Sequence, residues 1–176
     1  MEWGHTSSPK RPRKCLQTLS ARKIMATIFW DREGMLVDFL KRGSTINSER
    51  YCETLKKLRR AIQNKRRGKL STKVLFFHDN ARPHTANRTR ELLGHFGWEV
   101  FDHPPYSPDL APNDYDLFPN MKTWLATQRF KDDAELQAGV NVWLKSQAEK
   151  FYDDGINKLV HRYDKCLNLN GIYVQK

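Results

Sequence analysis

Four consecutive apolar residues, Val74 to Phe77 (VLFF), stand between polar neighbours and run directly into His78 and Asp79. A run so short and so uniformly apolar is expected of a strand buried on both faces, and such strands belong to parallel sheets covered by helices. The rest of the chain must therefore supply further strands and the helices that flank them.

Ile24 to Trp30 (IMATIFW) and Met35 to Leu40 are apolar and partly β-branched, and Asp31-Arg32-Glu33-Gly34 separates them as a turn would, which predicts a β-hairpin. From Asn47 the period changes. Tyr51, Leu55, Leu58 and Ile62 recur at helical spacing, with Asn47 or Ser48 as N-cap and Gly68 just past the end. A further helix is expected from about Thr85 to Phe96, Gly97 breaks it, and Trp98 to Phe101 reads as another short strand. Periodic apolar residues then predict helices over Leu117 to Phe130, Ala134 to Ala148 and Gly155 to Cys166. The order β, β, α, β, α, β followed by helices predicts an α/β sandwich with a helical C-terminal side. At 176 residues this is one domain, with a core that hides roughly two thirds of the unfolded chain's surface.

The charge is divided unevenly. Residues 1–73 carry 19 Lys and Arg against 6 acids, whereas 74–176 carry 12 against 14. The net +11 therefore belongs to the first half, and an excess of that kind calls for a polyanionic partner, nucleic acid first of all. On the polar side of the predicted helix lie Lys56, Lys57, Arg59, Arg60, Lys65, Arg66 and Arg67, spaced to follow phosphates; an ordinary solvated helix face is the alternative reading. The run from Ser7 to Lys14 reads as a basic arm. Cys15, Cys52 and Cys166 are too far apart in sequence for a disulfide framework or a zinc site, and are expected to be reduced thiols. No run of 18 apolar residues and no apolar leader region occur, so the chain is expected to be soluble and intracellular, with no membrane partner.

Two motifs carry chemistry. In HDNARPH, Asp79 closes the predicted strand, the end at which ligands of open α/β sheets gather, and His78, Asn80 and His84 add polar groups. Asp-Asn after a strand is also a common turn. In PPYSPDLAPNDYDLFP, residues 104–119, four prolines ahead of Asp114 stiffen a long loop that presents Asp109, Asp114 and Asp116. Asp114 would lie near a helix start, where the helix dipole favours a carboxylate; simple helix capping is the competing account.

Taken together, HDNARPH and YSPDLAPNDYDLF, with 34 residues between Asp79 and Asp114, resemble the catalytic core of mariner-type transposases of the Tc1/mariner superfamily. FWDREG, RGSTINSERYCETLKKLRRAI, LATQRF and YDKCLNLNGIYV are similar to stretches of the same family, including the transposase half of SET-domain/mariner fusions. No SET domain is seen, so methyl transfer is not implied. The resemblance implies an RNase H-like fold, a mixed sheet flanked by helices, over residues 24–176, preceded by a basic inter-strand arm over 1–23 through which a homodimer could form. It also implies nuclear DNA cleavage and strand transfer by two-metal phosphoryl transfer, with Mg²⁺ or Mn²⁺ held by Asp79 and Asp114. The family's first carboxylate lies on a first, central strand reading much like TGDETW, and a helix-turn-helix region lies N-terminal to the core. Neither is matched in this sequence, and Asp31 belongs to the hairpin turn, so weak metal occupancy and an inactive fragment are expected. Asp116 stands where the family often has His, and an extra acid beside Asp114 could perturb the metal geometry. The alternatives from other classes are a non-catalytic nucleic-acid-binding or dimerisation module derived from a transposon, and an RNase H-like nuclease acting on RNA.

Overall fold

The computed structural model describes residues 24–32, 34–66, 68, 73–171 and 174. The basic arm, Cys15 and Arg67 fall outside them. Strand β1 (Ala26–Asp31) turns back into β2 (Gly34–Phe39) with antiparallel pairing from Ala26 opposite Phe39 to Asp31 opposite Gly34. Helix α1 (Ser48–Lys65) follows, its N-terminus capped by the Asn47 side chain, which accepts a hydrogen bond from the Arg50 N–H at 2.8 Å. Strand β3 (Leu75–Phe77) then pairs in parallel with β4 (Glu99–Phe101). Between them run the short helix α2 (Arg82–Thr85) and α3 (Asn87–Phe96). Gly97 ends α3 with φ 70°, a left-handed conformation that glycine adopts without a Cβ clash.

The second half is helical. A 3₁₀ turn (Pro108–Leu110) and a π-helical turn (Asn113–Leu117) lead into α4 (Phe118–Ala126), α5 (Asp133–Ser146) and α6 (Glu149–Asn168). The alternation of β1 divides the interior. Ile28, with Ala26 and Trp30, packs against Leu117, Val140, Leu144 and Tyr152 of the C-terminal elements. Phe29, on the opposite face, meets Tyr51, Leu55, Phe76, Leu93 and Trp98. The hairpin is thus sandwiched between two apolar clusters, and the predicted stripe Tyr51, Leu55, Leu58 and Ile62 is the face that α1 turns to the second.

Among the described residues the strands form one antiparallel and one parallel two-stranded ladder, which the Phe29 and Phe76 rings, 5.7 Å apart, connect. One expectation needs correction. Strand β3 is buried on one face, where α1 and α3 cover Phe76, while on the other face Leu75 is 61 % exposed and the rings of Phe101 and His103 stand beside Phe77. The helix expected from about Thr85 to Phe96 is present as Asn87–Phe96, and the extended backbone of Ala86 (ψ 144°) separates it from α2. The Thr89 hydroxyl bridges that break by donating to the Pro83 carbonyl at 2.7 Å.

Candidate metal centre

Strand β3 stops at Phe77, and the two residues that follow carry His78 and Asp79 past its C-terminal end. The Asp79 carboxylate is fixed through one oxygen. Its Oδ1 accepts from the Ala81 backbone N–H at 3.0 Å and from His84 Nδ1 at 2.5 Å. These bonds stabilise the anion, and its pKa is held down at about 2, the His84 bond being the largest cause. Asp79 stays ionised at any physiological pH.

Asp114 reaches the same region from the opposite half of the chain. It lies in the π-helical turn, its backbone N–H bonded to the Ala111 carbonyl at 2.9 Å. Its pKa is raised, first by burial and then by the negative charge of Asp79. The effect runs one way because Asp79 ionises first: Asp114 titrates against a neighbouring anion, whereas Asp79 titrates beside a neutral acid. His103 feels both carboxylates, and the Asn80 amide donates to its carbonyl at 2.5 Å, which ties the end of β3 to the segment after β4. Asp79 thus stands at one end of the parallel strand pair, and its charge opposes the ionisation of Asp114. Carboxylate oxygens are the donors that Mg²⁺ and Mn²⁺ prefer, so the donor type fits such an ion. Among the described residues no group of three or more His, Cys, Asp or Glu is placed to hold one.

The other acids have different partners. Asp109 is buried; its Oδ2 accepts from the Val174 N–H at 2.7 Å and its carbonyl accepts from Arg162 at 3.0 Å, so it ties Val174 and α6 to the 3₁₀ turn. Asp116 is 6 % exposed and turned toward α6, with Oδ1 2.6 Å from Lys158 Nζ. The expected disturbance of Asp114 by Asp116 therefore has a different resolution: Lys158 neutralises the extra acid within the core contact between the π turn and α6. Asp31 sits at the hairpin turn, where both oxygens accept from Arg66, at 2.8 and 2.6 Å.

The basic residues of α1 also separate. Lys57 bonds Asp38 at 2.7 Å, Arg59 lies 4.7 Å above the Phe96 ring, and Arg66 is held by Asp31. Lys56, Arg60 and Lys65 are exposed.

What the sequence pattern did not bring out is the aromatic cluster behind Asp79. Tyr51, 1 % exposed, has its hydroxyl 3.0 Å from His78 Nδ1 and its ring centroid 4.0 Å from that of His84. A lone phenol in an otherwise aliphatic stripe was the available signal. Burial, reinforced by the nearby His84, depresses the His78 pKa to about 4. The unfolded chain takes up this proton near the ordinary imidazole value of about 6.5 and the folded chain does not, so stability falls with pH across that interval. The melting temperature is expected to drop between pH 7 and pH 4 more steeply in the unmodified chain than in His78→Gln. Parallel pH profiles would contradict this.

Among the described residues no helix is long and apolar enough to cross a membrane. The transposase (partial DDE domain) family model matches residues 1–72. The mariner Mos1 transposase of Drosophila mauritiana is 39 % identical across 99 % of this chain, which spans 54 % of that protein. The human histone-lysine N-methyltransferase SETMAR is 37 % identical over 88 % of the chain and 23 % of its own length. This chain thus spans about half of the first relative and a quarter of the second. Among solved structures, the Mos1 transposase catalytic domain with raltegravir and Mg matches with TM-score 0.83 and 40 % identity, over 86 % of this chain and 77 % of that one. The Mos1 mariner paired-end complex with Mn gives TM-score 0.84 and 37 % identity, over 99 % and 51 %.

Proposed function

The chain belongs to the mariner transposase family, with the RNase H-like fold of its catalytic domain, and from that premise we propose that it is a catalytic-core segment that engages DNA through α1 and a divalent metal ion through Asp79 and Asp114. The observation that carries this reading is the electrostatic coupling of those two acids, one after β3 and one in the π turn, at the two positions of the family motif. The Asp79 charge opposes ionisation of Asp114, and a cation bound to both relieves that repulsion. Asp79 supplies an ionised oxygen, and Asp114 supplies one that holds its proton more tightly than an isolated carboxyl until a cation displaces it. When bound, the ion would neutralise charge developing on a phosphoryl group. Support comes from relatives solved with Mg and with Mn, and from relatives solved as paired-end and strand-transfer complexes. The same reading includes nuclear action on DNA, association of two copies, and a division at residue 24 between the basic arm and the core. The shortage of a third acid among the described residues favours, as a second reading, a DNA-binding or dimerisation module without catalysis.

Duplex binding tests the DNA part. Of the proposed contacts Lys56, Lys57, Arg59, Arg60, Lys65, Arg66 and Arg67, the exposed pair Lys56 and Arg60 stands one helical turn apart on a single stripe. Each phosphate contact contributes about −0.9 to the slope of log K against log salt, so reversing both to Glu is expected to weaken binding and flatten the slope by about 1.8. An unchanged slope would remove α1 from the DNA surface. The metal part is tested by Mn²⁺ titration followed through the paramagnetic resonance of the free ion. Asp79→Asn and Asp114→Asn are each expected to lower affinity by about tenfold or more, the loss of one ligand. Unaltered affinity in both would exclude the shared site.

A further inference from the structure

We infer that His84 is a positioning residue for Asp79, held in place by Tyr51 of α1, so that the basic helix and the proposed metal ligand are joined by one chain of contacts. This inference rests on the reading of Asp79 as a metal ligand.

The hydrogen-bond geometry assigns the imidazole its proton. His84 Nδ1 lies 2.5 Å from Asp79 Oδ1 and 3.3 Å from the Asp79 backbone carbonyl, and both of these are acceptors. Only an N–H at Nδ1 satisfies them. The ring is prevented from turning away. Its face lies against Tyr51, with centroids 4.0 Å apart, and parallel to His78 at 5.1 Å and 8°, which leaves the side chain 19 % exposed. Tyr51 is itself immobilised, buried in the second apolar cluster with its hydroxyl 3.0 Å from His78 Nδ1. Held in this way, His84 and the Ala81 N–H engage the same oxygen of Asp79, leaving Oδ2 with no hydrogen bond among the described residues.

A carboxylate oriented by a fixed donor keeps a single rotamer, whereas a free one loses entropy each time it binds an ion. Groups behind the direct ligands typically change metal affinity by about 10- to 100-fold when removed.

Three variants separate positioning from packing. His84→Phe keeps a ring against both Tyr51 and His78 but has no donor. His84→Asn places an amide N–H near the position of Nδ1. Mn²⁺ titration of the full 176-residue chain is expected to show about a tenfold or greater loss for His84→Phe, with Asn within about threefold of the unmodified protein. The melting temperature is expected to order the variants differently, Asn losing more than Phe, because Asn gives up the stacking. Wild-type affinity in His84→Phe, or equal losses in the two variants, would overturn the proposal. The third variant gives a readout that needs no metal. In ¹⁵N spectra of the ion-free protein the His84 ring is expected to carry hydrogen on Nδ1, and Asp79→Asn is expected to shift that resonance. An unshifted Nδ1 signal would overturn the positioning role. If the unmodified chain binds no Mn²⁺ but this shift is seen, the metal reading fails while the Asp79–His84 coupling stands.

Discussion

Replacing Leu117 with alanine is expected to cost about 2–5 kcal/mol, a loss on the order of 10 °C in melting temperature for a domain of this size. Leu117 is fully buried at the end of the π-helical turn and packs with Ile28, Val140, Leu144 and Tyr152, so β1, α5 and α6 all lose contact with it at once. Removing its branched end leaves a cavity whose walls belong to several elements and cannot close by moving any one of them. The consequence extends to the site, because Asp114 lies three residues earlier in the same turn. Thermal or denaturant unfolding measures the first effect, and Mn²⁺ affinity below the melting transition measures the second. A melting temperature within a degree or two of the unmodified protein would mean that the π turn is not anchored by this side chain.

Gly155→Ala is expected to destabilise the chain by about 1–3 kcal/mol, although alanine is the better helix former by about 1 kcal/mol. A Cβ at this position in α6 would stand 2.7 Å from Asp116 Oδ2 and 3.1 Å from the Trp30 ring. Asp116 cannot rotate aside without leaving Lys158, and Trp30 is fixed by its indole N–H donating to the Asn113 side chain at 2.5 Å. Combining Gly155→Ala with Asp116→Ala removes the principal clash, and Lys158, about half exposed, can reach water. The double variant is expected to be more stable than the sum of the two single effects by about 1 kcal/mol or more. Strict additivity in chemical denaturation would show that α6 and the π turn are not in contact at this point.

Features set by neighbours in sequence were legible in advance, and features set by distant packing were not. The hairpin, the Asn47 cap and the apolar stripe of α1 each depend on residues within a few positions of one another. Asp79 and Asp114 stood out for the same reason, each within a compact motif. The partners of Lys57, Arg59 and Arg66 are Asp38, Phe96 and Asp31, all on other elements, so a stripe that reads as uniformly basic is in fact partly neutralised. Strand β3 misled because an apolar run records what a strand can bury and not what is available to cover it; Leu75 has no cover among the described residues. Asp114 and Asp116 differ by only two positions, yet one is opposed by the charge of Asp79 and the other bonds Lys158 of α6. Tyr51 lies 27 and 33 residues before His78 and His84, and the packing of α1 against β3, α2 and α3 brings its ring to theirs.

The most direct measurement of the proposed metal centre is the anomalous scattering of Mn²⁺ in crystals of this chain. A single strong peak is expected within about 2.2 Å of one oxygen of Asp79 and one of Asp114, the spacing of carboxylate ligands to such an ion. It should vanish in Asp79→Asn crystals grown under the same conditions. A map with no peak between these acids at saturating Mn²⁺, or with the ion held at Asp109 or Asp116 instead, would contradict the assignment.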